Sequence, residues 1–295
     1  MVFTVPFDII GSFTFLVELT LYLEFDRYEY SPPYPNPQFR PPYFQSLRSL
    51  SLTASSDLIN SMLTMFSFIP LESIAIKINS YGSNDKTAHH IANWVTTIRK
   101  IGQWANTLLH IKLDQDWKQQ VVIQHLSPFE PLLLCLHLRH LSVRSPLLEP
   151  IFSNDDIVKM ATAWPQLREL HFDGLCSRLC PTADITSLAF LAEKLPHLRV
   201  LNLPFNLSFL PPTVVPHVHH QIGQRLLKLH IERFFLGDSD PVLVAAHLDN
   251  LFPWTMVVLN DEQYFEPQKK LEAILLLRNT SSSPGTGYHH YYDAQ

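Results

Sequence analysis

Apolar residues recur along the chain in a fixed pattern, in which three positions are separated first by two residues and then by one. The pattern occurs nine times, beginning with Leu16, Leu19 and Leu21, and its first positions lie 24 to 37 residues apart. Because alternate residues of a strand point to opposite sides, each occurrence predicts a short strand with one buried side. The other eight occurrences are Leu47/Leu50/Leu52, Leu71/Ile74/Ile76, Leu108/Ile111/Leu113, Leu138/Leu141/Val143, Leu167/Leu170/Phe172, Leu198/Leu201/Leu203, Leu226/Leu229/Ile231 and Trp254/Val257/Leu259.

The segments between these apolar cores carry hydrophobic residues at helical spacing. Proline follows four of these segments, and because it lacks an N–H and disfavours helix at the preceding residue, it ends a helix and releases the chain into a strand. The four junctions are Ile69-Pro70, Trp164-Pro165, Leu195-Pro196 and Phe252-Pro253. The spacing predicts helices over residues 57–69, 86–104 and 154–164, a helix capped by Thr182 or Asp184, a helix beginning at Asp240-Pro241 and a last one over 266–277.

A strand followed by a return segment, repeated at this period, is typical of leucine-rich repeats. The sequence therefore predicts an α/β solenoid, a ribonuclease-inhibitor-like horseshoe with a curved parallel sheet and helices on the convex side. It covers residues 1–278 in about nine irregular repeats. The alternatives are an ordinary α/β domain with leucine-rich strands and, locally, a competing register at Leu133/Leu136/Leu138.

Two segments depart from the repeat pattern. Residues 31–42 (SPPYPNPQFRPP) are dense in proline, which suits neither a helix nor a central strand, so they are predicted to form a surface loop. Residues 279–295 (NTSSSPGTGYHHYYDAQ) are predicted to form a disordered tail.

The composition narrows the class of protein. The formal charge of -5 argues against nucleic acid as the main partner, because a surface that follows phosphates needs a basic excess. No apolar run reaches the length of a membrane span, and the N-terminus does not resemble a secretory signal. Three cysteines, an odd and sparse count, favour a reducing compartment. We therefore expect an intracellular protein, cytoplasmic or nuclear.

The residues that alternate with the apolar cores are expected to line the concave side of the sheet. In the middle of the chain they are polar, carry charges of both signs and include four histidines, which titrate near neutral pH. The functional interpretation is a protein-binding face whose affinity varies between pH 6 and 7, and the alternative is a solvated sheet face. The candidate residues are His110, Lys112, His140, Ser142, Arg144, Glu169, His171, Asp173, Asn202, Lys228 and His230.

Motifs for metal binding and catalysis are missing from the sequence. Histidines cluster at His217/His219/His220, at His89/His90 and at His289/His290, but carboxylate or cysteine partners at ligand spacing do not accompany them. Cys176 and Cys180 have three residues between them rather than two, and they are interpreted as loop thiols. No nucleophile elbow or phosphate-binding glycine loop occurs. We expect no cofactor, no metal and no enzymatic activity, and an enzyme of unknown type is the least favoured alternative.

One stretch of the chain resembles a known family. Leu138 to Asn206 contains LRHLSVRSP, NDDIVKMATAWPQLRELHF and TSLAFLAEKLPHLRVLNLPFN, and AAHLDNLFPW spans Ala245 to Trp254. These residues resemble the leucine-rich-repeat region of the fungal, mostly mushroom-type, F-box/leucine-rich-repeat-like protein group, over about Phe44 to Leu259. The F-box of that group is expected to be missing, because Val5 to Ile10 (VPFDII) leads directly into a strand core.

These observations lead to two hypotheses about function. The first is a non-enzymatic protein–protein interaction module that binds a protein partner, for which the resemblance implies substrate recognition in a cullin-type ubiquitin ligase and contact with ubiquitin-ligase components. The second is a truncated relic of the family that has lost its F-box and has no dedicated partner. Neither hypothesis involves a nucleic acid or a membrane.

Overall fold

The fold is described from a computed structural model. The structure describes residues 13–23, 44–79, 87–116, 121–123, 126–144, 148–150, 152–173, 182–208, 226–231, 234–236, 239–252, 255–259, 269–271 and 273–276. The predicted proline-rich loop at 31–42 and the predicted tail at 279–295 lie outside these residues, as do residues 5–10 and Trp254.

Nine strands form one sheet in which every pair of neighbours is parallel, and their order in the sheet is their order along the chain. Such an order means that each repeat pairs with the repeat before it and the repeat after it, as in a solenoid. The strands are β1 (Glu18–Tyr22), β2 (Ser49–Ala54), β3 (Ser73–Asn79), β4 (His110–Asp116), β5 (His140–Arg144), β6 (Glu169–Asp173), β7 (Val200–Asn202), β8 (Lys228–Ile231) and β9 (Met256–Leu259).

The strands pair without any slip between equivalent positions of the repeat. The second apolar position of each core faces that of the next core, so that Leu19 is opposite Leu50, Leu50 is opposite Ile74, and so on to Leu229 opposite Val257. These nine residues are at most 8% exposed. The α/β leucine-rich-repeat solenoid predicted from the sequence is therefore confirmed, and the competing register is wrong, since Leu136 is 57% exposed.

A backbone contact recurs where the strands begin. Arg48 N and Ser49 N both donate to the carbonyl oxygen of Val17, at 2.8 and 3.0 Å. Two consecutive amides donate in the same way to one carbonyl of the preceding repeat at the start of the next six strands, down to Leu227 and Lys228 on Arg199 O. Each repeat is thus fixed to its predecessor before the strand proper starts.

The helices lie close to their predicted positions. They are α1 (Ser56–Met65), α2 (Thr87–Ile101), α3 (Asn154–Ala163), α4 (Ile185–Lys194) and α5 (Pro241–Leu251), and residues 269–271 and 273–276 are also helical. Asp184 caps α4 and Asp240 caps α5, each accepting a backbone N–H two residues on, as the sequence suggested. Ser153 caps α3 in a reciprocal capping box with Asp156.

Some structure was not predicted from the sequence. The return segment between β4 and β5 contains a 3-10 helix, Ser127–Leu134, in which Pro131 lacks the N–H that a regular helix would use. Two short parallel strand pairs also occur, Val121–Ile123 with Leu148–Pro150 and Phe205–Asn206 with Phe234–Phe235. Their short or mixed sequences carry no clear alternation, so the pattern did not reveal them.

Buried side chains also join consecutive repeats. The indole Nε1 of Trp164 donates to Leu132 O at 3.0 Å, and that of Trp104 donates to Ile69 O at 2.7 Å. The hydroxyl of Thr255 donates to Leu226 O at 2.7 Å. Each bond satisfies a carbonyl of the preceding repeat that packing has removed from water, which makes the stacking specific as well as apolar.

We expect Leu170→Asp to unfold the protein, because it places an unpaired carboxylate at a fully buried position of the shared core, with an expected loss of at least about 3 kcal/mol. The control is Gln166→Asp, which introduces the same charge at an exposed position four residues earlier. Urea denaturation followed by circular dichroism measures both. Equal midpoints for Leu170→Asp and the unaltered protein would contradict the repeat register.

The two buried tryptophans Trp164 and Trp94 offer a second comparison. Both are fully buried, but among the described residues the indole N–H of Trp94 has no hydrogen-bond partner. We expect Trp164→Phe to lower the free energy of unfolding by about 1 to 2 kcal/mol more than Trp94→Phe does. Only the first change leaves a buried carbonyl, Leu132 O, without its hydrogen-bond donor. Urea midpoints decide this, and a larger loss for Trp94→Phe would contradict it.

Candidate functional site

The open face is the side of the main sheet whose residues alternate with the core positions. Its side chains form rows that run across the strands, because the register is the same in every pair. One row contains Glu18, Ser49, Ser73, His110, His140, Glu169, Val200, Lys228 and Met256. The next row contains Thr20, Ser51, Ala75, Lys112, Ser142, His171, Asn202, His230 and Val258.

All eleven candidate residues lie in these rows or at the strand ends beside them. Their described side chains range from exposed (Lys112 and Arg144) to buried (Asn202), and the others are half-buried. Lys112 on β4 lies directly opposite Ser142 on β5, and Arg144 lies between Asp114 and Asp173 of the flanking strands. Opposite charges therefore alternate across these three strands along the line Asp114, Arg144 and Asp173.

Four of the candidates form one connected group across three neighbouring strands. The imidazole rings of His110 and His140 stack, with centroids 4.5 Å apart and planes inclined by 14°. Nδ1 of His140 lies 3.3 Å from Oε2 of Glu169, and Nε2 of His171 lies 3.9 Å from the same oxygen. One carboxylate oxygen thus faces two imidazoles, and a third ring stacks on one of them.

The electrostatics of this group follow from its crowding. Partial burial, followed by the charges of His140 and Arg139, lowers the pKa of His110, while Glu169 and Glu72 act in the opposite direction. The stack is therefore least favourable when both of its rings are protonated.

His230 is held neutral more strongly. Burial, then the nearby charges of Lys228 and His171, lowers the pKa of His230 from the ordinary value of 6.5 to about 4. Its imidazole is consequently uncharged between pH 6 and 7, so any pH dependence of binding in that range has to come from other groups.

Asp173 and Asn202 form a second pair on the open face, through a hydrogen bond from the amide Nδ2 of Asn202 to Oδ1 of Asp173. Asn202 is only 6% exposed. It lies between His171 and His230 in a row of the open face, where it serves as a buried link between β6 and β7 rather than as a freely exposed contact.

Metal-ligand clusters and reactive thiols were sought among the described residues. No group of three or more His, Cys, Asp or Glu side chains within them is arranged to hold a metal ion. Burial raises the pKa of the Cys135 thiol to about 12, so this cysteine stays neutral and unreactive. Cys176, Cys180 and the histidines at 217–220 and 289–290 lie outside the described residues, as do the side chains of His89 and His90.

Three arginines beside the site were missed, because only residues that alternate with the apolar core positions were considered. Arg139, Arg168 and Arg199 stand just before three consecutive strands, at the position whose backbone takes part in the shared carbonyl contact. The recurring dipeptide Leu-Arg, at Leu138, Leu167 and Leu198, was the signal that could have found them.

Comparisons with known proteins leave the family open. No protein-family model and no curated protein matches the chain. Among solved structures the chain is similar to the leucine-rich repeat-containing protein LegL7 from Legionella pneumophila, with 16% sequence identity, coverage of 81% of this chain and 83% of that chain, and a TM-score of 0.37. The assignment of the fold rests on the strand order and register described above.

None of the helices in the described part of the chain combines the length and the apolar character that crossing a bilayer requires.

The low pKa of His230 makes stability depend on pH. Because the folded-state pKa of about 4 is below the ordinary 6.5, the neutral imidazole contributes stability that is complete above about pH 6.5 and is lost as the pH falls towards 4. We expect His230→Gln to lose less stability than the unaltered protein between pH 7 and pH 4.5. Urea midpoints at both pH values measure this, with His137→Gln at an exposed position as control. Equal acid sensitivity of His230→Gln and the unaltered protein would contradict the assignment.

Proposed function

We propose that this chain is a non-enzymatic protein-interaction module that binds a protein partner on its open face. The observation that carries the proposal is the connected group of His110, His140, Glu169 and His171. These side chains lie in register on adjacent strands and remain half-buried rather than covered. Stacked imidazoles and a carboxylate on a rigid sheet offer hydrogen-bond donors and acceptors at fixed positions, which suits recognition of a protein surface.

The regular burial of apolar residues in the core supports a protein that still needs its fold, rather than a relic. The second apolar position is buried in all nine repeats, from Leu19 to Val257. A chain that no longer needed its fold would accumulate polar residues at such positions, each of them costly to bury. This regularity favours the interaction module over the family relic without a dedicated partner.

We extend the proposal to substrate recognition for a cullin-type ubiquitin ligase. This finer proposal is supported by the sequence resemblance over about Phe44 to Leu259 alone, and the adaptor-binding helices would come from a longer gene product or from another subunit. The ligase adaptor and cullin are therefore the first proteins to look for among captured partners.

The test is affinity purification of the tagged chain from its native cells, with mass spectrometry of the proteins that are captured. A reproducible partner supports the interaction module, and ligase adaptor with cullin supports the finer proposal. An empty eluate at several salt concentrations would contradict both.

We expect the double variant His140→Ala/His171→Ala to weaken capture of that partner at least tenfold while changing the free energy of unfolding by less than about 1 kcal/mol, because both side chains are partly exposed. The matched control is His137→Ala/His197→Ala, which removes two exposed imidazoles from positions before the strands. A large loss of stability in the first variant would show that its histidines belong to the core, and unchanged capture would exclude them from the interface.

A further inference from the structure

Three arginines form a row along the edge where the strands of the main sheet begin. Arg168 N donates to Arg139 O at 2.7 Å, and Arg199 N donates to Arg168 O at 2.7 Å. Since these bonds join the backbones of the three residues directly, their Cα atoms are separated by roughly the strand spacing of about 4.8 Å. We name Arg139, Arg168 and Arg199 the arginine row.

Among the described residues, the guanidinium groups of the arginine row have no partner within the fold. Arg168 and Arg199 are exposed and Arg139 is half-buried. Within the described part of the chain, no side-chain hydrogen bond or ion pair joins any of the three to an acceptor. Three like charges on adjacent backbones repel one another, so an anion bound across the row would lower that repulsion.

Arg48 occupies the same position of its repeat, but its guanidinium has hydrogen-bond and ion-pair partners. Its Nη1 donates to Gln45 O at 3.0 Å and to Leu47 O at 2.9 Å, and its Nε lies 3.7 Å from Oε1 of Glu72. The position itself therefore does not leave a guanidinium without a partner. In the arginine row, the equivalent position of the neighbouring repeat is another arginine, whereas next to Arg48 it is the acidic residue Glu72.

The arginine row borders the open face. Each of its members directly precedes a residue of the first row of that face, namely His140, Glu169 and Val200. Arg139 directly precedes His140, whose imidazole stacks on that of His110 on the adjacent strand. A partner bound at the start of these strands on the open face would therefore lie next to the arginine row.

We propose that the arginine row docks an acidic segment of the partner protein, with carboxylates lying across the starts of β5, β6 and β7. This proposal rests on the proposed function, because it specifies the chemistry of the partner. Guanidinium groups pair with carboxylates through two parallel hydrogen bonds, and on a partner helix side chains three or four residues apart lie about 5 to 6 Å from each other. That spacing matches three arginines on consecutive strands. With its net charge of -5, the rest of the molecule disfavours a nucleic acid backbone, so the positive charge is local.

The direct test uses a fluorescein-labelled peptide of eight glutamates and measures its binding to the full chain by fluorescence anisotropy. We expect binding at 50 mM salt that weakens as salt is raised, because exposed charges are screened. We expect Arg139→Gln/Arg168→Gln/Arg199→Gln to weaken this binding at least tenfold. The control Arg48→Gln, in which the arginine is already paired, should change it less than twofold. A peptide of eight glutamines and a single-stranded DNA octamer serve as further probes.

Equal binding of the glutamate peptide to the triple variant and to the unaltered protein would overturn the proposal, as would tighter binding of the DNA than of the peptide. Circular dichroism of the triple variant shows whether it is folded, and Arg168→Gln alone provides a milder variant if it is not.

Capture of the native partner separates this proposal from the proposed function. A partner that is captured equally by the triple variant would overturn the docking role of the arginine row and leave the interaction module standing. Arginine-dependent binding of the glutamate peptide without any captured partner would support an acidic-segment site while contradicting the proposed module.

Discussion

The backbone carbonyl that accepts two amides at the start of a strand is the contact on which the rest of the molecule depends. It fixes where each strand begins relative to the one before, from Val17 O to Arg199 O. In a sheet, a slip of one residue would move every core side chain to the opposite face. The shared carbonyl thus determines both the burial of Leu50, Leu141 and Leu170 and the alignment of the rows on the open face.

Fixed register coexists with return segments of very different length. The segment before β4 contains the 15-residue helix α2, whereas the segment before β5 contains an eight-residue 3-10 helix with Pro131 inside it. Both deliver the next strand to the same alignment. The register therefore comes from the strand starts and from buried links such as Trp164 to Leu132 O, and the return segments need only span the distance and cover the core.

The sequence predicted the main sheet well because the period-two alternation of residues such as Leu170 and Phe172 directly encodes burial. It predicted helix starts where a capping residue was visible, as at Asp240. It did not predict the 3-10 helix or the short strand pairs, whose residues show no regular period. These elements depend on proline chemistry and on contacts between repeats, which a single local window does not contain.

The sequence predicted which residues belong to the candidate site, but it did not predict the contacts between their side chains. Alternation predicted His110, His140 and His171 on the open face, and the register aligns all three in rows of that face, while their role in binding stays a prediction. The stacking of two imidazoles and their shared carboxylate depend on rotamers and on which strands are neighbours, which the pattern of one repeat cannot supply. The arginine row was missed because its members precede the alternating positions.

Because neighbouring strands pair without slip, such a chain can gain or lose whole repeats during evolution and still keep its register. Leu141 and Leu170 occupy equivalent places, and each is followed by an open-face residue and then by a core residue. A whole repeat can therefore be duplicated or lost by unequal exchange between them, while the strands on both sides keep their frame. The length of the surface in such a chain changes with the number of repeats. In a globular domain the same change would require new packing throughout the core.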